Sequence, residues 1–213
     1  MTTATVRLLS RHAALRHSRT AIQAVTISIL LYAIGIIVLL IKFIPARLGE
    51  KAFEKRIADS RRLLPMICLP VDWLVPPLIL LSGIGQLSGG WPLIRLLGFA
   101  LSLCAFFILA WVPRVLGRFL VPQAVVFSDH ALVTAGPFRF VRHPSFAGAL
   151  ALWLSTALGT LNWLLFVLWF LLVVAKTIQA QAEEELLHTK FGSVYEAYTR
   201  QTGRFIPKIW RRG

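Results

Sequence analysis

The chain has 213 residues, of which 57% are hydrophobic and only 15% charged, and its mean hydropathy is +0.71. A soluble domain of this length carries about 25% charged residues, so the composition excludes an ordinary soluble protein and indicates an integral membrane protein. The formal net charge is +14, but the basic residues are spread over several juxtamembrane segments. This distribution excludes a nucleic-acid-binding module and favours attraction to anionic lipid headgroups.

The first half of the chain predicts three membrane-spanning helices. Residues 21–41 carry no charge and are long enough to cross a hydrocarbon core of about 30 Å. A second span is predicted over about 73–87, with a start at residue 63 as an alternative. A third covers roughly 92–112. Asp72 and Arg95 are interpreted as residues at span ends, without a function.

The last apolar block, residues 146–175, is too long for one span and is broken by the sequence GTLN at 159–162. This pattern predicts two helices joined by a tight turn into an antiparallel hairpin. The predicted fold is therefore an all-α integral membrane protein with about five transmembrane helices.

The distribution of lysine and arginine predicts the orientation of these helices. There are six in 45–70, four in 113–143 and seven in 176–213, whereas the turns near 88–91 and 159–162 have none. The positive-inside rule places the three basic segments in the cytoplasm. Five spans would leave the N-terminus outside, but four arginines in the first twenty residues oppose that placement, so its side stays open.

Two polar segments, 118–146 and 175–207, are the places where chemistry is expected. The first contains GPFRFVRHPSFAG, with three cationic side chains just before an apolar run. The second contains Gln179 and Glu183, which share a helix face at i and i+4. It also contains FGSVYEAY, which predicts a short amphipathic helix that caps the bundle or lies on the membrane. Its apolar side is assigned to Phe191, Val194, Tyr195 and Tyr198.

These segments resemble the isoprenylcysteine carboxyl methyltransferase family, which shares a membrane methyltransferase superfamily with the phospholipid N-methyltransferases. The resemblance rests on GPFRFVRHPSFAG, a hairpin of the right length, and then EEELLHTKFGSVYEAYTRQTGRFIP, and it covers roughly 118–208. Several motifs in the right order are far more specific than any one of them. The resemblance implies two parts: residues 1–112 as N-terminal transmembrane helices and 113–213 as a methyltransferase core with cofactor loop, hairpin and C-terminal cap.

The resemblance further implies S-adenosyl-L-methionine as the cofactor, bound in a pocket that faces the cytoplasm. A lipophilic or prenylated acceptor would enter from the lipid bilayer. Glu183 and Arg142 are predicted as catalytic residues and Gln179 as an acceptor contact. The implied cofactor contacts are Gln123, His130, Ala131, Leu132, Val133, Phe138, His143, Pro144, Ser145, Phe146 and Glu183. No metal is expected, since orientation and electrostatics suffice for attack by an ionised carboxylate.

The chain departs from the family pattern at positions that bear on the substrate. Gln179 stands where the eukaryotic prenylcysteine enzymes have an arginine that pairs with the substrate carboxylate, and Lys176 lies almost one turn earlier. A neutral amide donates hydrogen bonds but supplies no full charge. Phe138 and Phe146 replace the usual tyrosines, which keeps the ring but removes a hydroxyl group.

The predicted function is methyl transfer to a lipophilic acceptor, in the first instance a carboxylate of isoprenylcysteine type. The alternatives are a phospholipid or other lipid-amine N-methyltransferase, a sterol-reductase-like protein with a nicotinamide cofactor, and a silent membrane scaffold. The absence of a G-x-G-x-x-G fingerprint from the sequence weakens the reductase alternative. Arg139 and Arg142 have the alternative role of anchoring lipid headgroups.

Overall fold

The computed structural model describes residues 22–23, 25–30, 32–34, 55–56, 63–87, 91–117, 125–126 and 132–208. Its helices are α1 (Val25–Ile34), α2 (Leu63–Ser82), α3 (Pro92–Leu116), α4 (Pro144–Thr160), α5 (Trp163–Phe191) and α6 (Ser193–Gln201). A two-residue strand β1 (Lys55–Arg56) pairs antiparallel with β2 (Val125–Val126). The described chain is therefore helical, as predicted, apart from its turns, a short 3₁₀ turn and this strand pair.

Two of the described helices, α3 and α5, are long and apolar enough to cross a membrane. The apolar part of α1 and the part of α2 from Pro70 to Ser82 are shorter. Length and composition therefore support a membrane protein with two candidate spans, and the arrangement with five spans stays a prediction.

The second helix begins at Leu63, the earlier of the two predicted starts, and ends at Ser82 rather than near residue 87. It stops because Gly83 and Gly85 adopt positive φ values of 70° and 78°, a conformation that ends helices and that glycine adopts without strain. Beyond this turn, the backbone N–H of Leu87 donates to the carbonyl of Leu161 at 2.9 Å. The end of α2 is thereby tied to the turn of the last hairpin.

The predicted hairpin is confirmed, with α4 ending at Thr160 and α5 beginning at Trp163. Asn162 caps α5, because its side-chain oxygen accepts a hydrogen bond from the backbone N–H of Leu165 at 3.0 Å. Its amide nitrogen donates to the carbonyl of Ile84 at 2.9 Å. One asparagine therefore starts the last long helix and joins it to the end of α2.

The short helix α6 follows α5 directly. Tyr195 is almost fully buried, whereas Val194 is 63% exposed. Consecutive residues lie about 100° apart around a helix, so one edge of the predicted apolar stripe packs inward and the other lies at the surface. The amphipathic helix that caps the bundle or lies on the membrane stays a prediction.

Helices α3 and α4 pack closely because two glycines meet between them. Arg95, in the first turn of α3, is buried and donates to the carbonyl of Gly159 at 3.1 Å. Arg95 therefore joins two helices rather than simply marking a span end. A Cβ on Gly98 would lie 2.7 Å from the Cα of Gly159 and 2.8 Å from the carbonyl oxygen of Ser155.

We expect Gly98→Ala to lower the free energy of unfolding by about 1–3 kcal/mol, the usual cost of overpacking a close interface. The added methyl group meets backbone atoms of α4, which cannot rotate away. Gly159→Ala is the matched control, because its Cβ would have no neighbour nearer than 4.0 Å. Thermal unfolding in detergent measures both variants, and equal midpoints for the two would contradict this packing.

Candidate cofactor and acceptor site

The two polar segments are joined by a short piece of parallel backbone pairing. Val141 bridges Gly203, the N–H of Arg142 donates to the carbonyl of Gly203 at 2.8 Å, and the N–H of His143 donates to that of Arg204 at 3.1 Å. Pro144 then begins α4, where its missing N–H costs nothing. This pairing holds Arg142 and His143 at the start of α4, facing α5.

Glu184 on α5 is the centre of a charged cluster that we call the Glu184 clasp: Arg142, His143, Glu184 and Arg204. The Nε of Arg142 donates to Glu184 at 2.9 Å, and the Nη2 of Arg204 donates at 2.7 Å. The Nε2 of His143 lies 3.2 Å from the same carboxylate. The side chains of Arg142 and Glu184 are only 11% and 15% exposed, so these pairs are shielded from water.

Arg142 also contacts the last turn of α6 and the residue that follows this helix. Its Nη1 donates to the carbonyl oxygens of Thr199 and Thr202, at 3.3 and 2.5 Å. Together with the bond to Glu184, these contacts direct the guanidinium toward protein atoms. The clasp therefore fastens the loop before α4, the helix α5 and the C-terminal segment to one another.

Glu183, the neighbouring carboxylate, has a different environment. One oxygen lies 3.4 Å from the Nδ1 of His143, and the other accepts from the amide of Gln179 at 3.4 Å. These contacts are long, and the side chain is 26% exposed. Gln179 and Glu183 share a face of α5, as predicted, and Glu183 keeps hydrogen-bond acceptor capacity that Glu184 has already used.

The pKa of His143 reflects its position between the two carboxylates. Burial alone would lower this pKa, but hydrogen bonds to Glu183 and Glu184 outweigh burial and raise it above its usual value. The protonated imidazole can then donate from both nitrogens.

Nearby, burial raises the pKa of Tyr198 to about 12. Its hydroxyl therefore stays protonated and donates to the carbonyl of Phe138 at 2.6 Å.

Aromatic rings continue the site from the clasp toward the helix bundle. The ring of Phe146 stacks on His143, with centroids 5.3 Å apart and planes 10° apart. Phe205 packs against both rings at 6.2 and 6.4 Å. The ammonium of Lys176 lies 5.1 Å from the centroid of Phe146. These rings form an aromatic layer between Glu183 and Lys176.

Lys176 forms a buried ion pair with Asp72 of α2, with Nζ and Oδ2 separated by 2.6 Å. Asp72 therefore does more than mark a span end, because it pairs with α5 and its backbone carbonyl accepts from Trp153 of α4. The other carboxylate oxygen of Asp72, Oδ1, is buried without a hydrogen-bond partner, and so is Oε1 of Gln179. Gln179 lies three residues after Lys176, on the same face of α5.

The structure brings together most of the described residues that the resemblance implied. Arg142, His143, Phe146, Gln179 and Glu183 form one connected set through the contacts given above. Phe138 and Pro144 are buried beside this set, and Leu132, Val133 and Ser145 are partly buried. Gln123, His130 and Ala131 lie outside the described residues. Glu184, Arg204 and Asp72 were missed, because their partners are distant in sequence.

Residues 93–194 match the family described as phospholipid methyltransferase. This match supports the predicted membrane methyltransferase superfamily, while membership of the isoprenylcysteine branch stays a prediction. The matched residues run from α3 into α6 and include Arg142, Gln179 and Glu183, but not Asp72 or Arg204. No curated protein matches the chain.

Proposed function

We propose that the protein transfers a methyl group from S-adenosylmethionine to a lipophilic acceptor held in the bilayer, with the cofactor site on the cytoplasmic side. The observation that carries this proposal is the difference between two adjacent carboxylates. Glu184 is neutralised by the clasp, whereas Glu183 makes only long contacts at 3.4 Å and keeps free acceptor capacity. The family match supports the reaction type.

The residues present fit this cofactor by their chemistry. S-adenosylmethionine, when bound, supplies a methyl group on a sulfonium cation. Glu183 offers a negative charge to the cofactor's ammonium or sulfonium group, and the rings of His143, Phe146 and Phe205 exclude water beside it. We assign Arg142 a positioning role in place of a catalytic one, because its contacts fix Glu184 and the backbone after α6. A negative charge held in place, such as that of Glu183, stabilises a reacting cation without having to reorganise.

The buried polar atoms favour an amine acceptor over a carboxylate. The charge of Lys176 is already balanced by Asp72, and Gln179 has no charge to offer. Among the described residues three buried side-chain atoms have no hydrogen-bond partner: Oδ1 of Asp72, Oε1 of Gln179 and the hydroxyl of Tyr195. The first two, on the side of Lys176, are hydrogen-bond acceptors. A ligand group that satisfies them must bring N–H or O–H donors, which an amine has and an ionised carboxylate group lacks. The lipid-amine alternative is therefore better supported than the isoprenylcysteine carboxylate.

An amine acceptor sets the order of the chemical step. The ammonium form would first lose a proton to water, since its nitrogen has no lone pair until then. S-adenosylmethionine, held by Glu183 beside the rings of His143, Phe146 and Phe205, would supply the methyl group to that lone pair and leave as a neutral thioether. Orientation of the amine by Asp72 and Gln179 lowers the barrier to this in-line displacement.

We expect the purified protein in lipid nanodiscs to transfer labelled methyl groups to phosphatidylethanolamine, and to do so faster than to N-acetyl-S-farnesylcysteine. S-adenosylmethionine should also raise the thermal midpoint, because a ligand that binds only the folded state stabilises it. Transfer to the farnesylcysteine alone would overturn the amine assignment. No transfer to either acceptor, with a midpoint raised by NADPH and not by S-adenosylmethionine, would favour the reductase alternative.

A further inference from the structure

The ion pair between Asp72 and Lys176 lies partly outside the region that matches the methyltransferase family, since Asp72 precedes residue 93. The two side chains are 9% and 4% exposed. The backbone carbonyl of Asp72 also accepts a hydrogen bond from Trp153 Nε1 at 3.1 Å, which fixes this turn of α2 against α4. Two desolvated charges in an apolar bundle are costly, and such residues within membrane helices commonly mark functional sites.

We propose that Asp72 determines which acceptor this site takes: it cancels the charge of Lys176 and presents a free oxygen to the donor hydrogens of a lipid amine. The inference rests on the proposed methyl transfer and names the residue that selects its substrate class. Asp72 is thereby a substrate contact contributed by α2, and Lys176 is a positioning residue that holds its carboxylate.

The pair is continuous with the proposed cofactor site. Lys176 Nζ lies 5.1 Å from the centroid of the Phe146 ring, Phe146 stacks on His143, and His143 contacts Glu183. Lys176 and Glu183 are seven residues apart on α5, and Gln179 lies between them on the same face. An acceptor headgroup held by Asp72 and Gln179 would therefore lie within about two helical turns of Glu183.

The charge of the ion pair decides which headgroup this proposed site accepts. With Asp72 ionised, the pair is neutral overall and its free atoms are hydrogen-bond acceptors, which suits an amine. Without the Asp72 carboxylate, Lys176 would be an unbalanced cation among apolar side chains, and it would attract an anionic headgroup. Asp72→Asn should therefore change the preferred acceptor as well as the rate. If the pair only joined α2 to α5, Asp72→Asn would change the free energy of unfolding and leave the acceptor preference unchanged.

The test compares stearylamine with stearic acid, which share a C18 tail and differ in headgroup charge, in nanodiscs with labelled methyl donor. For Asp72→Asn, the ratio of amine to acid methylation should fall by roughly 10- to 100-fold, the range for losing one charge-assisted hydrogen bond. Glu196→Gln is the matched control, because it removes an exposed carboxylate paired with Arg200. That variant should keep the wild-type ratio.

A second variant controls for unfolding caused by an unbalanced buried charge. The double variant Asp72→Asn, Lys176→Met leaves no such charge, and it should lose methylation of the amine without gaining methylation of the acid. An unchanged ratio in Asp72→Asn, or unfolding of both variants, would overturn the inference and show a purely structural pair. So would a wild type that methylates phosphatidylethanolamine but not stearylamine. No transfer by the wild type to any acceptor would instead overturn the proposed function itself.

Discussion

Glu184→Gln should lower the free energy of unfolding by roughly 3–5 kcal/mol, the cost of removing one partner from a buried charge network. The change leaves Arg142, whose side chain is 11% exposed, without its counter-charge, and leaves His143, 6% exposed, with Glu183 alone at 3.4 Å. The side chain of Arg204 is 31% exposed, so water can solvate its charge in the variant. Arg204 therefore contributes less than Arg142 to the loss of stability. Thermal or urea unfolding in detergent measures the effect.

The same variant should release the segment that follows α6, because Glu184 holds Arg204. Limited trypsin digestion should then cleave after Arg200 or Arg204 faster than in the wild type. Glu196→Gln serves as the control, since its exposed i,i+4 pair with Arg200 contributes about 0.5 kcal/mol or less. Wild-type stability in Glu184→Gln would show that the clasp contributes little to folding.

Glu183→Gln should produce the opposite pattern, with weaker cofactor binding and nearly normal stability. We expect a loss of about 1–3 kcal/mol in S-adenosylmethionine binding, the range for a charge-assisted hydrogen bond, measured by calorimetry in detergent. The long contacts of Glu183 and its 26% exposure explain why the fold tolerates the change. His143→Ala should weaken binding similarly. Wild-type affinity in both variants would remove Glu183 from the cofactor site.

Comparing the two variants separates the effect of position on the helix from the effect of residue type. Glu183 and Glu184 are adjacent, and the same substitution is made at each. If both variants lost stability equally and bound the cofactor equally, the distinction between a ligand carboxylate and a structural one would be wrong.

The sequence predicted features of this protein that depend on local patterning. The break at 159–162 located the hairpin, because Asn162 is a good helix cap and the flanking apolar runs are helical. The i,i+4 spacing placed Gln179 beside Glu183. The start of α2 at Leu63 was foreseen only as an alternative, and its end at Ser82 depended on two glycine conformations that spacing alone does not specify.

Contacts between distant residues explain what the sequence did not reveal. Asp72 and Lys176 are 104 positions apart, so no helical periodicity connects them. Asp72 precedes a tryptophan and resembles a residue at a membrane boundary until α5 is placed beside it. In the same way, whether Arg142 pairs with Glu184 or with Glu183 depends on how α5 is rotated about its axis. The apolar sequence of this helix is compatible with several rotations, so it does not specify the partner.

The pairing of Arg142 and His143 with Gly203 and Arg204 has a consequence for the order in which the protein matures. During synthesis, the loop that carries His143 leaves the ribosome about sixty residues before the backbone that it pairs with. The hairpin of α4 and α5 is therefore synthesised while Glu184 still lacks Arg204. A nascent chain interrupted before residue 203 would contain the hairpin and yet lack the complete clasp, so the proposed cofactor site would be complete only once this segment has been translated.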